Sequence, residues 1–455
     1  MARPDRKEPN TPETGTQTES QPSQPRADRH PRFSHRARAH DSAHADADLE
    51  AQPADMPEHP LIPRNQASLV STDAGLRELI EHLRSAGSFA YDSEFIGELT
   101  YVPKLCLIQI ASPQQVVLVD PLAGIDLRPF WELLCDPSVE KIVHAGEQDV
   151  EPVIRHLGKR PSNIFDTQIA AGFAAMAYPV SLSKLVYELV GVRLGKGLTF
   201  THWDQRPLSK QQLRYAADDV RYLPALRAKI GRRLEEWGHA ARAKEESEAM
   251  GDPAMFGFDR DSDYLRIRGA GGLTPAGLAV LRELAAWRNS AARDADVPPR
   301  SFLRDEILLD MARSPNKTVD RLKRVKGLPR PVEAEHGRTI VEATARALAL
   351  PVGEMPVPKV TEESPVQKFR ADSLWAAAQC LAAGRGIDPA LVSSRQELGE
   401  FYRTAVRGGD VSGMKLMKGW RREIVGEGLV DLLGGSGRAE FAWAEGVLRT
   451  TTRNS

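Results

Sequence analysis

The sequence predicts an α/β domain followed by two small all-α units, and three observations lead there. Short β-type runs separated by turn residues fill positions 89 to 119, and another apolar run covers 141–144 after a helical stretch. Capped, helix-periodic segments take over from about 147 and continue to about 450. The first 60 or so residues are rich in Pro, Ser, Thr, Gln, Arg and Asp and poor in large apolar side chains, so burial there cannot offset the entropy of ordering.

The disordered arm is set at 1–62. His30, His35, His40 and His44 cluster there with Arg29, Arg32, Arg36 and Arg38. Interleaved acids and the lack of a repeated ligand spacing favour a solvated tail over a metal or RNA contact. The α/β domain is expected over 66–245. Leu76, Leu79, Ile80 and Leu83 form a stripe behind the N-cap candidates Thr72 and Asp73, and Gly87 closes that helix. The runs 89–95, 105–110 and 116–119 read as an antiparallel meander. A short helix around 130–134 then leads to the strand 141–144, and helices are expected at 147–157, 167–176, 182–190 and 209–235. Thr274–Pro275 opens a helical unit expected over 268–350. The proline-bearing stretch 351–364 reads as a linker, and 365–450 as a second helical unit, with Trp420 as a core anchor.

Net charge is −1, so no global basic field announces nucleic acid. The three cysteines, Cys106, Cys135 and Cys380, are far apart and form no C-x-x-C, which argues against zinc and disulfide frameworks. Absence of a long apolar run argues against a membrane span, and absence of an apolar leader against secretion. A cytoplasmic location is the expectation.

Five residues carry the chemistry. Asp92 and Glu94 are two apart on a strand and so point to one face. Asp149 follows an apolar strand and a Gly146 turn, near a helix start. Tyr215 and Asp219 are four apart and share a helix face. Four carboxylates converging on one spot repel unless cations lie between them. Oxygen donors without His or Cys favour Mg²⁺ or Mn²⁺ over Zn²⁺, which describes a two-metal phosphodiesterase site. Asp-x-Glu alone is common, but of the eight tyrosines only Tyr215 has Asp four residues on. Asp166 has two readings, a fifth carboxylate or a helix N-cap, and the cap is favoured. His144 reads as a satisfied core histidine, and Asp218 as solvated or capping.

The segments Tyr91-Asp92-Ser93-Glu94-Phe95, Leu107-Ile108-Gln109-Ile110, His144 to Asp149, Phe165-Asp166-Thr167-Gln168 and Tyr215 to Val220, with the tract Trp203 to Leu208, resemble ribonuclease D. That is the tyrosine branch of the DEDD 3′→5′ exonucleases. The resemblance implies a ribonuclease-H-like exonuclease domain that trims RNA bearing a free 3′ end, such as tRNA precursors, and releases nucleoside 5′-monophosphates. It also implies two divalent ions about 3.5–4 Å apart, with Asp92 bridging both. Glu94 and Asp219 would complete the nucleophile-side ion, and Asp149 would hold the leaving-group ion. Tyr215, protonated near neutral pH, would orient the attacking water. The segments 284–288, 298–302 and 324–328 resemble an HRDC module, and 391–398 with 419–426 a second HRDC-like unit. Lys and Arg outnumber Asp and Glu between 257 and 350. Arg321, Lys323, Arg324, Lys326 and Arg330 form the candidate nucleic-acid patch there. A DNA 3′→5′ exonuclease and a non-catalytic nucleic-acid scaffold are the competing readings. Ser93 departs from the commoner Thr, and the stretch Leu198 to His202 departs from the wording expected beside the substrate.

Overall fold

The computed structural model describes residues 56–195, 197, 202–357, 364–444 and 447–454. The histidine-rich arm segment and Leu198 to Thr201 lie outside the described residues. Packing begins before the expected end of the arm. Ile62 is buried in the core, and the Arg221 guanidinium donates to the backbone oxygens of Pro63 and Asn65.

A mixed six-stranded sheet organises the first domain. Its strands are β1 (Ser68–Val70), β2 (Ser88–Ile96), β3 (Lys104–Ala111), β4 (Val116–Val119), β5 (Glu140–Val143) and β6 (Ile164–Asp166), in spatial order β1-β4-β3-β2-β5-β6. The central β2-β3-β4 meander is antiparallel, and β1, β5 and β6 add in parallel. The two outer three-residue strands were not expected; runs that short carry almost no period-2 signal. Helices α1 (Asp73–Ala86), α2 (Arg128–Leu134) and α3 (Glu147–Leu157) bury their apolar stripes against one face, around Tyr91, Ile108, Ile110 and Val153. On the opposite face, α4 (Thr167–Gly172), α5 (Leu182–Val190), α6 (Lys210–Arg221), α7 (Leu223–Trp237) and α8 (Ala240–Ala249) build the second layer.

Two expected helices are shorter than read. The segment 209–235 is broken at Tyr222, where Pro224 occupies the first turn of α7, a position that suits proline at a helix start but not inside one. The segment 167–176 ends at Gly172, because the Ala175 N–H leaves the helix and donates to the Gly386 oxygen at 2.9 Å.

The first helical unit has its own core around Leu278, Leu281, Leu284, Leu308 and Ile340, between helices Pro275–Asp294, Asp305–Arg313 and Arg330–Leu348. The second does not stand apart in this way. Leu374, Leu398, Phe401, Trp420 and Val425 share one apolar cluster with Phe173, Leu185 and Leu226 of the α/β domain. The Trp420 ring lies 4.8 Å from Phe173, and its Nε1 donates to Glu246 at 2.8 Å. Gly386, at φ 72°, sits so close to Trp237 that a Cβ would fall 2.5 Å from a ring carbon. A β-hairpin, Gly437–Ala444 with Val447–Asn454, follows the last helix of a segment expected to be helical throughout.

Candidate active site

Strand β2 delivers Asp92 and Glu94. Their register partners on β3 are Gln109 and Leu107, and a bulge follows Glu94. Alternation turns Tyr91 and Ser93 the other way, toward α3, and both act on Asp149. The Tyr91 hydroxyl donates to the Asp149 backbone oxygen at 2.7 Å, and the Ser93 hydroxyl donates to Asp149 Oδ1. Carboxylates rising from the two sides of one strand are thus tied together through the strand itself.

The turn before α3 is tight. A Cβ on Gly146 would lie 2.6 Å from the Val143 side chain, and its N–H donates to Asp166 Oδ2 at 2.9 Å. Asp166 Oδ1 meanwhile accepts from the N–H groups of Gln168 (2.7 Å) and Ile169 (3.1 Å). The fully buried Asp166 is therefore an N-cap that also anchors the Asp149 turn. His144 hydrogen-bonds Thr167 through Nδ1 at 2.9 Å, as a satisfied interior histidine does.

Helix α6 brings Tyr215 and Asp219. It starts with a capping box between Ser209 and Gln212. The preceding tract is pinned by Arg206, which grips Asp120 through Nε (2.7 Å) and Nη2 (2.6 Å) and donates to the Trp203 and Cys106 oxygens. Buried Trp203 then lies 6.2 Å from the Tyr215 ring. Asp218, expected to be solvated or capping, instead faces Arg221 at 3.5 Å and Arg214 at 3.9 Å.

Electrostatics shows that the five predicted residues are brought together. Burial, then the charges of Asp92, Asp219 and Asp149, push the Glu94 carboxyl up to about 9. Burial and Asp92 push Asp219 up to about 8. Burial lifts Asp92 to about 6 and, with Asp92 itself, holds Asp149 well above the usual range. Burial, Asp219, Glu94 and Asp92 raise the Tyr215 hydroxyl, so it keeps its proton. Among the described residues none of these four carboxylates makes an ion pair, whereas other half-buried acids do: Asp120 with Arg206, Glu140 with Arg227, Glu246 with Arg421. Among the described residues no three His, Cys, Asp or Glu side chains are placed so that they could hold a metal ion together; what joins the four acids is the effect of each charge on the others. An all-oxygen, uncompensated set of this kind fits hard divalent cations.

Sequence reading missed the supports. Ser93 entered only as a departure from the commoner Thr, and Tyr91 only as part of the motif. Gln109 is fully buried on β3, with Nε2 3.4 Å from Glu94 Oε1 and its own Oε1 without a partner. The only signal available was their position, one residue off the acids or across from them. The basic patch lies on the first helical unit. Arg321, Lys323, Arg324, Lys326 and Arg330 are all exposed, with Lys323 paired to Asp320 (2.9 Å) and Arg330 to Glu333 (3.3 Å).

Comparison with known proteins agrees with this geometry. Residues 68–235 match the 3′-5′ exonuclease family, and residues 277–344 the HRDC domain. The chain is 36% identical to ribonuclease D of Gluconacetobacter diazotrophicus over 365 residues, covering 79% of this chain and 91% of that protein. The chain belongs to the ribonuclease D family. Ribonuclease D of Pseudomonas paraeruginosa is 34% identical over 80% of this chain and 96% of its own length. The crystal structure of Escherichia coli RNase D, an exoribonuclease involved in structured RNA processing, superposes with a TM-score of 0.72 at 30% identity, covering 82% of this chain and 99% of that one. This ribonuclease D family member is a 3′→5′ exoribonuclease, with a ribonuclease-H-like catalytic domain and helical HRDC-type units behind it. No described helix is long and apolar enough to cross a membrane.

Proposed function

We propose that this enzyme removes nucleotides one at a time from the 3′ end of structured RNA, tRNA precursors among them, in the cytoplasm. We further propose that it uses two divalent ions, Mg²⁺ or Mn²⁺, held by Asp92, Glu94, Asp149 and Asp219. The observation that carries this reading is a set of four carboxylates that raise one another's pKa and make no ion pair among the described residues. Gathering such charges is costly in a low-dielectric site, and a bound pair of divalent ions removes that cost.

When bound, the ions supply charge that activates a water and offsets the departing 3′-oxygen. The chain's own residues set the geometry. Asp92 and Glu94 are fixed by the central strand, Asp149 by Ser93 and Tyr91, and Asp219 by a capped helix. The Tyr215 hydroxyl, hydrogen-bonded to Asp219 and kept protonated, orients the attacking water rather than accepting its proton. Attack on the last phosphodiester releases a nucleoside 5′-monophosphate. A free 3′ end and a terminal 2′-hydroxyl are the features by which RNA is chosen.

A 5′-labelled tRNA-like RNA with a 3′ extension, run beside a matching DNA, tests this. A ladder shortening from the 3′ end in Mg²⁺, absent in EDTA and in Asp219→Ala, is expected for RNA. Shortening of DNA alone would replace RNA with DNA as substrate, and inertness toward both would leave the scaffold reading.

A further inference from the structure

Strand β3 is apolar along its buried length except at one position. Cys106, Leu107, Ile108, Ile110 and Ala111 are all buried, and Gln109 stands among them with no exposed surface. Its register partners are Asp92 on β2 and Leu118 on β4. Leu107 and Leu118 belong to one apolar cluster with Trp203 and Ala216, so α6 covers this face of the sheet. An amide is a poor choice for that place if only the fold is served. Its Oε1 is buried without a hydrogen-bond partner among the described residues, and a buried acceptor left unmade lowers stability. Met would fill a similar volume without that cost.

Glu94 supplies the reason for a glutamine. The ladder between β2 and β3 is interrupted by the bulge after Glu94, and bulges re-aim the side chains beside them. Glu also has more rotamer freedom than Asp, so a strand position alone fixes its carboxylate less well. The other acids have their own holds: Ser93 on Asp149 and Tyr215 on Asp219. For the Glu94 carboxylate, the Gln109 Nε2–H at 3.4 Å is the one hydrogen bond among the described residues. Gln109 reaches it along the diagonal of the antiparallel pair, from its place opposite Asp92. The bond is long as it stands. A carboxylate held on a cation accepts shorter, charge-assisted bonds from N–H donors, so the contact is set to tighten.

We propose that Gln109 is the positioning residue for Glu94: its amide, approaching from β3, fixes the carboxylate in the orientation that a divalent ion needs. Being neutral, the amide does this without cancelling the negative charge that attracts the ion, as Lys or Arg would, and without adding a further acid. The inference rests on the reading of Asp92, Glu94, Asp149 and Asp219 as metal ligands and adds a residue behind them.

The test is calorimetric titration of the full chain with Mn²⁺ in the absence of RNA, beside thermal denaturation in EDTA. Gln109→Met should bind Mn²⁺ about tenfold more weakly. It should melt in EDTA at or above the wild-type temperature, because the orphaned acceptor is gone. Gln109→Asn keeps an amide that falls short of Glu94 and should show the same loss of Mn²⁺ affinity. Leu107→Met alters packing on the same face and should bind Mn²⁺ as wild type does. Wild-type affinity in Gln109→Met, or in Gln109→Asn should the first variant not fold, would overturn the proposal. So would an equal loss of affinity in Leu107→Met together with a lowered melting temperature in EDTA for Gln109→Met, since Gln109 would then serve packing alone. A wild-type chain that takes up no Mn²⁺ would overturn the metal reading itself, a failure distinct from equal affinities.

Discussion

Tyr215 and Asp219 share a helix face and a hydrogen bond, yet they should not respond alike to mutation. Tyr215→Phe removes one hydroxyl that orients water and should lower kcat by about 10²-fold. Asp219→Ala removes a ligand and should lower it by roughly 10⁴-fold or more, measured as single-turnover trimming in Mg²⁺. Ser93 is a positioning residue. Ser93→Ala frees Asp149 Oδ1 and should raise the Mg²⁺ concentration needed for half-maximal rate by about tenfold, while Ser93→Thr, which keeps the hydroxyl, should restore it. Equal Mg²⁺ requirements in Ser93→Ala and wild type would remove Ser93 from the site. At this scale the proposed ligands were legible because a strand Asp-x-Glu, common by itself, stands with the only tyrosine of the chain that has Asp four residues on. Ser93, Tyr91 and Gln109 were not, because a hydroxyl or amide aimed at a carboxylate looks in sequence like any other strand residue.

Single elements show the same division. Helix α6 was readable from the spacing of Tyr215 and Asp219, and β2 as a short β-type run. What escaped was set by partners distant in the chain: the short strands β1 and β6, which exist only as additions to a sheet edge, and the early end of α4, beyond which the Ala175 N–H donates to the Gly386 oxygen. Trp420 sits on such a junction, 3% exposed against Phe173. Trp420→Ala should cost about 3–5 kcal/mol through the cavity it leaves. It should be read as a lowered melting temperature with Mg²⁺-dependent trimming retained at low temperature. An unchanged melting temperature would mean that this contact contributes nothing to the fold.

Across the whole molecule, the two helical units differ in how they are attached. The first has its own core and touches the catalytic domain through the Tyr101 loop. The second shares a core with it and adds backbone bonds from Asp388 to Gly172 (2.7 Å) and a bidentate Arg421–Glu246 pair. Composition and periodicity held no sign of this shared core, since an apolar helix face does not say which domain covers it. A chain ended before Ser364 should therefore aggregate or melt far below the full protein, as seen by scattering and thermal denaturation. A truncated chain as stable as the full one would show the shared core to be dispensable.

Four carboxylates, Asp149 buried and Asp92, Glu94 and Asp219 half-buried, make no ion pair among the described residues and are left for divalent cations to compensate. Their folded-state values lie above the ordinary value near 4. The site therefore costs stability increasingly as pH rises from about 4 through the values near 8 and 9 reached by Asp219 and Glu94. The most direct measurement is thermal denaturation near pH 8 of wild type and Asp219→Asn, each in EDTA and in Mn²⁺. Wild type should gain several degrees with Mn²⁺. Asp219→Asn should be more stable than wild type in EDTA, by on the order of 1 kcal/mol, and should lose most of the Mn²⁺ gain. A wild type indifferent to Mn²⁺, together with an Asp219→Asn protein less stable in EDTA, would contradict the account.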